Sequence, residues 1–322
     1  MSVLLRVVAV FVAVMLQAAA HAAEYPARPI RMIVPYAPGG ASDIFARILA
    51  ERFTAAWGQQ VVVDNRAGAG GNIGSDLVAK ANPDGYTMLL GTSGSNAVNP
   101  SLYTKMPYEA KRDLALIAMF ASTANIIVVR TAHPAKSVQD LIRMAKSNPG
   151  KVTYGSSGVG SVLHLSGELL KTMTGVDIVH VPYKGTGPSL VDLLGGQIDM
   201  VFSNLPPAVP FVQEGRMRGI AVTTAARARA LPNVPTMIEG GVPNYDVASW
   251  FGVMVPSKTP AAAVEKINRE VQRILKAPDT QERLTTMGAD PMFKAPREAN
   301  AFFHSEIAKW AQVVKASGAK AE

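Results

Sequence analysis

The sequence of 322 residues contains no cysteine, and this absence excludes several kinds of protein at once. Without a thiol there are no disulfides, no cysteine nucleophile, no thiolate metal site and no cysteine that could carry a lipid anchor. No stretch beyond the N-terminal segment reaches the roughly 18 uninterrupted apolar residues that indicate a membrane-spanning helix. We therefore expect the mature chain to be soluble, with cores large enough to dispense with disulfides.

Motifs that indicate an enzyme are also missing. The sequence has no G-x-S-x-G nucleophile elbow, no G-x-x-x-x-G-K-[ST] phosphate loop and no H-E-x-x-H metal helix. The segment Gly68 to Gly74 departs from the dinucleotide fingerprint at Ile73, and the four histidines beyond the N-terminal segment are not paired at metal-ligand spacing. We expect no cofactor, no metal and no catalysis; a hydrolase with an unfamiliar site is the enzymatic alternative.

Positive charge is in modest excess, but it is not concentrated in one part of the sequence. The formal net charge is +8, and it falls to +7 if Arg6 is removed with an N-terminal leader. No run of three basic residues occurs, and the densest stretch is Arg216 to Arg229. Scattered charge is typical of a solvated surface and not of a nucleic-acid stripe, although it is compatible with attracting small anions. We therefore expect no nucleic-acid partner.

The N-terminus has the pattern of a cleavable signal peptide. A positive start, Met1 to Arg6, precedes the uncharged apolar run Val7 to Leu16, and small residues follow. Ala20 and Ala22 fit the pair of small residues read before cleavage, so we place the cut after Ala22, with Ala23 as the second choice. A membrane anchor is the competing interpretation, but the run is shorter than the roughly 20 residues a spanning helix needs. The protein is therefore predicted to be exported.

Short apolar runs alternate with amphipathic helical stretches along the chain, a pattern typical of mixed, mostly parallel α/β sheets. The first run is Ile30 to Pro35, a comparable unit begins at Asn125 to Val129, and the chain returns through Trp250 to Val255. A mature chain of this length also exceeds what a single core usually covers. We predict two α/β lobes, with the chain crossing between them more than once. The predicted lobes are residues 23–124 with 248–322, and residues 125–247.

The first candidate site is the segment Pro38 to Asp43, which follows a predicted strand and opens a predicted helix. Gly39 and Gly40 let the backbone approach a ligand closely, and the free N–H groups of a first helical turn favour an anion. The alternative is an ordinary turn with Ser42 or Asp43 as the helix cap. The sequence leaves both interpretations open.

A second candidate loop, Tyr154 to Ser161, also lies between a predicted strand and a predicted helix. Its three glycines and three serines offer many donors with little steric bulk, and His164 follows within the next helical turn. The loop Gly91 to Asn96 follows another strand and could form part of the rim. If the two glycine-rich loops face one another, they can hold an anion between the lobes.

Several linked motifs identify the chain as resembling the solute-binding receptors of the tripartite tricarboxylate transporter family, also called Bug receptors. The resemblance covers essentially the whole mature chain. The motifs are Val34 to Asp43, Asn65 to Gly71, Asn82 to Thr87, Tyr154 to Gly158, His164-Leu165, His180 to Gly185 and Trp250 to Gly252.

The resemblance implies a type II-like periplasmic binding protein whose two lobes close on a small organic acid. In that family one carboxylate is held by backbone N–H groups and small polar side chains. A neutral amide at Asn204, where the family often has aspartate, puts an amino-group-bearing ligand in doubt. By motif, the implied ligand-binding residues are Tyr36, Gly39, Gly40, Ser42, Asp43, Ser93, Ser95, Ser156, Ser157, Gly158, His164, Tyr183, Gly185 and Asn204.

The resemblance also implies partners and a location. The expected partners are a mono-, di- or tricarboxylate and the membrane subunits of a tripartite-type uptake system, with the receptor acting as a monomer in the periplasm. An orphan receptor that presents its ligand to a sensor protein is the alternative.

Overall fold

A computed structural model of the protein describes residues 25–317 and Ala321, and its strands form one continuous mixed sheet. The predicted signal peptide, residues 1–22, lies outside the described residues. The strands are β1 (Ile30–Val34), β2 (Val61–Asn65), β3 (Thr87–Thr92), β4 (Leu114–Arg130), β5 (Val152–Ser156), β6 (Ile178–Pro182), β7 (Met200–Asn204), β8 (Met217–Val222), β9 (Ala248–Pro256) and β10 (Ala289–Pro291).

Helices cover both faces of this sheet. A 3₁₀ turn spans Ala69–Gly71 and a short π-helix spans Ser93–Val98. The α-helices are α1 (Ala41–Trp57), α2 (Asn72–Ala79), α3 (Asn99–Leu102), α4 (Ala110–Asp113), α5 (Val138–Ser147), α6 (Val162–Thr174), α7 (Thr186–Leu194), α8 (Leu205–Gln213), α9 (Ala261–Lys276), α10 (Pro278–Thr286) and α11 (Pro296–Ser317). In residues 25–317, no helix combines the length and the apolarity that a membrane span requires.

The strand order β2-β1-β3-β9-β4-β7-β5-β6 divides into two lobes at the 17-residue strand β4. Up to Ala124, β4 pairs with β9, and from Asn125 onward it pairs with β7. Each lobe has a parallel outer part, with β1 between β2 and β3 in one and β5 between β6 and β7 in the other. The pairs made by β4 and the pair of β3 with β9 are antiparallel. The predicted mixed α/β, two-lobed fold is confirmed.

Strand β1 shows why the parallel parts form as they do. Met32, Ile33 and Val34 are completely buried, because helices cover a parallel sheet on both faces and favour a continuous apolar run. Helix α1 then begins directly after Gly40 and ends at Gly58, whose φ of 65° suits a left-handed cap. The carboxyl end of β1 and the start of α1 therefore lie together at the boundary between the lobes.

Each lobe has an aromatic core beneath this boundary. In the first lobe, Phe45 packs edge-on against Phe251 and Phe120, with ring centroids 4.9 and 5.7 Å away. In the second, Tyr154 packs edge-on against Phe202, with centroids 5.6 Å apart. All these rings are nearly or fully buried. The loops between the lobes are thus supported from beneath by rigid packing.

Candidate functional site

A small cavity lies where the two lobes meet. Its volume is about 30 Å³. The residues that line it are Tyr36, Gly40, Ala41, Ser42, Thr92, Ser93, Gly94, Ser249 and Phe251 from the first lobe, and Ser157, Ser161, Val162, Leu163, Thr186 and Asn204 from the second.

A larger depression of about 810 Å³ lies between the C-terminal end of α1 and helix α9. It shares no lining residue with the interlobe cavity, and side chains such as Trp57, Arg269 and Lys276 line it. Convergent polar groups identify a binding site better than volume does. The smaller cavity is therefore the candidate site.

Five helices begin at residues that line the cavity. Gly40 to Ser42 open α1, Thr92 to Gly94 open the π-helix, Ser161 to Leu163 open α6, Thr186 opens α7 and Asn204 precedes α8. The first N–H groups of a helix have no acceptor within it, and its dipole places partial positive charge at this end. Their convergence creates an environment suited to an anion.

No charged side chain lines the cavity, according to the described part of the chain. Instead, its lining carries eight hydroxyl groups. They belong to Tyr36, Ser42, Thr92, Ser93, Ser157, Ser161, Thr186 and Ser249. Those of Tyr36, Ser161 and Ser249 already donate to Gly70 O, Gly158 O and Asn125 Oδ1. Burial raises the pKa of the Tyr36 phenol, so it stays a donor at neutral pH. An anion here would be held by neutral donors and helix ends, without an ion pair.

The loop before α1 is held by Asp43. Its carboxylate accepts hydrogen bonds from Gly39 N (3.2 Å), Asn65 Nδ2 (3.1 Å) and, through both oxygens, the Arg47 guanidinium (3.0 Å each). Burial opposes ionisation, but these donors outweigh it and hold the pKa of Asp43 below its usual value. Gly40 is the residue that precedes α1, and no side chain caps the helix. The first-turn N–H groups are therefore left for a ligand, while Asp43 shapes the loop from outside the cavity.

The loop before α6 is held by its own serines. Ser156 Oγ accepts a hydrogen bond from Gly158 N (3.1 Å), and Ser161 Oγ donates to Gly158 O (2.7 Å). Gly158 has a φ of 126°, and a Cβ there would lie 2.9 Å from Tyr183 O, so only glycine fits without strain. Ser157 and Ser161 both line the cavity, while the Ser161 hydroxyl itself bonds to the backbone of Gly158 and His164.

Two histidines stack behind this loop. The His164 and His180 rings lie 4.2 Å apart between centroids, and Tyr154 also stacks on His180, with centroids 4.9 Å apart. His180 Nε2 is 2.7 Å from Ser156 Oγ, and His164 Nδ1 accepts a hydrogen bond from Gly160 N at 3.4 Å. Burial, together with His164 and Lys171, lowers the pKa of His180 to about 3. Burial also lowers the pKa of His164, against the opposing effect of Glu168. Both rings are therefore neutral supports.

We expect the stability of the protein to fall as the pH drops below about 6.5, in part because of His180. The unfolded chain binds a proton at this residue near pH 6.5, whereas the folded protein does so only near pH 3. Between these pH values the unfolded chain holds one more proton at His180 than the folded protein does. Each unit by which the pH falls therefore lowers the free energy of unfolding by up to about 1.4 kcal/mol. Urea unfolding between pH 7.5 and 4 measures this slope. His180→Gln keeps a hydrogen-bonding side chain and should show a smaller slope; equal slopes would contradict the assignment.

Direct contacts join the lobes around the cavity. Ala37 N donates to Lys184 O at 2.8 Å, and Tyr103 OH donates to Val159 O at 3.2 Å. The Cα of Gly187 would lie 3.5 Å from a Cβ placed on Gly39. The structure therefore shows the two lobes closed on each other.

Six of the fourteen predicted residues line the cavity. They are Tyr36, Gly40, Ser42, Ser93, Ser157 and Asn204. The other eight surround it without lining it: Gly39, Asp43, Ser95, Ser156, Gly158, His164, Tyr183 and Gly185. Ser95 Oγ donates to Asn96 Oδ1 (2.8 Å), the Tyr183 hydroxyl donates to Asp192 (2.8 Å), and Gly185 packs on Ala37.

Nine lining residues were not among the fourteen: Ala41, Thr92, Gly94, Ser161, Val162, Leu163, Thr186, Ser249 and Phe251. The first four of them lie in the candidate loops. Ser161 and Thr186 had a usable signal, because each is a hydroxyl residue next to a glycine where a helix starts. Ser249 and Phe251 lie on the returning strand β9, and no local pattern distinguishes them.

Comparison with known proteins gives a consistent result. The family model described as tripartite tricarboxylate transporter family receptor matches residues 45–319. The periplasmic binding protein BugD is similar in structure, with 35% identity, a TM-score of 0.89, and coverage of 92% of this chain and 100% of BugD.

Two further solved structures contain ligands. Rpa4515 of R. palustris, solved with adipate, is 40% identical with a TM-score of 0.88, over 92% of this chain and 99% of that one. MatC of Rhodopseudomonas palustris, solved with bound malate, is 32% identical with a TM-score of 0.85, over 90% of this chain and 100% of that one.

Proposed function

Because the chain belongs to the tripartite tricarboxylate transporter receptor family, whose members are periplasmic solute-binding proteins and not enzymes, we propose that it captures a small organic carboxylate between its lobes. The family expected from the motifs is confirmed. The membrane subunits of a tripartite-type uptake system are the proposed recipients of the ligand.

The convergence of five helix starts on an uncharged cavity carries this proposal. A carboxylate has two oxygens and accepts several hydrogen bonds at once, which suits backbone N–H groups and hydroxyls presented from several directions. The carboxylates bound by Rpa4515 and MatC support the same ligand class for this chain.

Closure of the lobes would complete the site. We propose that the lobes are residues 23–124 with 248–322 and residues 125–247, a division supported by the change of partner along β4 between Ala124 and Asn125. A cavity of about 30 Å³ has room for few atoms, so a ligand enters while the lobes are apart. Binding then shifts the equilibrium toward the closed form, which a membrane partner can recognise. We further propose that the receptor acts as a monomer in the periplasm after cleavage near Ala22.

We expect purified protein, unfolded and refolded to remove any bound ligand, to be stabilised by at least one acid in a panel of mono-, di- and tricarboxylates. A ligand at 100 times its dissociation constant adds about 2.7 kcal/mol to the free energy of unfolding. Thermal unfolding detects this as a shift of several degrees. The methyl esters of the same acids are the matched controls, because they lack the ionised group. No shift with any acid, or equal shifts with acid and ester, would contradict the proposal.

A further inference from the structure

Three polar side chains meet at the point where strands from both lobes cross. Asn125 lies on β4, opposite Asn204 at the end of β7, and Ser249 lies on β9. Asn204 and Ser249 line the cavity, whereas Asn125 is completely buried behind them. Asn125 and Ser249 were not among the predicted site residues. Because these three side chains bond to one another, their hydrogen bonds decide what they leave for a ligand.

Asn204 and Ser249 use their donors within this group, whereas Asn125 Nδ2 is enclosed behind them without a hydrogen-bond partner. Asn204 Nδ2 donates both of its hydrogens, to Asn125 Oδ1 at 2.8 Å and to Ser249 Oγ at 3.1 Å. The Ser249 hydroxyl donates its own proton to Asn125 Oδ1 at 2.8 Å. Asn204 Oδ1 is left over: no described residue donates to it, and it is not among the enclosed unpartnered atoms. The cavity is therefore presented with one free carbonyl acceptor here.

A free acceptor in a small cavity requires a donor from the ligand. Leaving a buried acceptor without a hydrogen bond costs about 1–3 kcal/mol. An unsubstituted carboxylate cannot donate a hydrogen bond to this oxygen. A carboxylate with a hydroxyl group on the neighbouring carbon can. An ammonium also donates, but its charge would be buried among five helix starts with no acidic side chain in the lining.

We propose that Asn204, held by Asn125 and Ser249, makes the cleft selective for 2-hydroxycarboxylates over the corresponding unsubstituted and 2-amino acids. The selectivity rests on the proposed function, because it concerns the ligand of the same cavity. The position of Asn204 supports the 2-position: it directly precedes α8, so a hydroxyl that reaches it lies close to a carboxylate at the helix starts.

Two matched sets of acids test this selectivity by calorimetry. One set is malate, succinate and aspartate; the other is 2-hydroxyadipate, adipate and 2-aminoadipate. In the set that binds, the hydroxy acid should bind about tenfold or more tightly than the unsubstituted acid, with the amino acid weakest. Equal affinities for the hydroxy and unsubstituted acids would overturn the proposal. A preference for the unsubstituted acid would also overturn it, and would mean that the Asn125 and Asn204 amides are both turned, so that Nδ2 faces the cavity.

Variants separate this selectivity from binding itself. Asn204→Leu should bind hydroxy and unsubstituted acids equally, whereas Asn204→Asp should gain affinity for the amino acid relative to the other two. Ser42→Ala, which removes a hydroxyl elsewhere in the lining, should weaken all three acids and retain their ratios. Unchanged ratios in Asn204→Leu would overturn the assignment. If no acid binds the wild-type protein, the proposed function fails and this selectivity with it; if all three bind equally, only the selectivity fails.

Discussion

Replacing Gly187 by alanine is expected to weaken ligand binding by about ten- to a hundredfold while leaving the free protein as stable as before. Gly187 lies in the first turn of α7, and a Cβ there would lie only 2.3 Å from Pro38 O in the opposite lobe. Overpacking of this kind costs about 1–3 kcal/mol, which the closed form alone has to bear. In the open form the methyl group meets no such contact, and alanine is the better helix former.

The same helix supplies a control for this experiment. Gly195, at the other end of α7, has no atom closer than 3.6 Å to an added Cβ, so Gly195→Ala should keep the wild-type affinity. Calorimetric titration and thermal unfolding of both variants, each with and without ligand, measure the two effects separately. Wild-type affinity in Gly187→Ala would show that the closed arrangement is not the ligand-bound one. A large loss of stability without ligand would show that the clash persists when the lobes part.

Asp43→Ala is expected to lower the free energy of unfolding by about 2–3 kcal/mol and to weaken ligand binding at least tenfold. The Asp43 side chain is only 7% exposed, and its removal leaves Gly39 N–H and one hydrogen of the Asn65 amide without an acceptor. Arg47, by contrast, is 57% exposed, and exposed ion pairs contribute about 0–1 kcal/mol. The effect should therefore come from the loop that opens α1, more than from the ion pair.

Arg47→Ala and Asp43→Asn separate these contributions. Arg47→Ala should cost less than about 1 kcal/mol, and Asp43→Asn should be intermediate because an amide oxygen can still accept from Gly39 N–H. Because the pKa of Asp43 is lowered on folding, its stabilisation is present above pH 3.8 and is lost as the pH falls further. Urea unfolding and calorimetry measure both quantities. Equal losses in Arg47→Ala and Asp43→Ala would contradict this view of Asp43.

Most of the fold could be predicted because strand and helix patterns alternate clearly in both lobes. The first part of β4, Leu114 to Ala124, was missed because its leucines, alanines and methionine also suit a helix, and pairing with β9 decides its conformation. Helix α8 was missed because of its prolines. Two of these lie in the first turn, where proline removes only N–H groups that have no helical acceptor.

The sequence predicted which loops form the site, but not which side chains of those loops face the cavity. Ser156 and Ser157 are neighbours, yet Ser156 contacts His180 and Ser157 lines the cavity. Successive residues of an extended segment point to opposite sides, so the motif alone cannot say which serine faces a ligand. The same alternation places Ser249 and Phe251 on the cavity side of β9. Their role depends on pairing between distant strands, which local spacing does not encode.

The uncharged lining of the cavity has a consequence for proton linkage. A receptor that binds an anion through a partly protonated histidine takes up protons as it does so, and its affinity then follows the acidity of its surroundings. Here the donors are amides and hydroxyls, and the histidines behind them are neutral at physiological pH. If the ligand is an ionised carboxylate, as we propose, its capture takes up no protons near neutrality. Such a receptor responds to the concentration of the acid, even when the pH of the compartment changes.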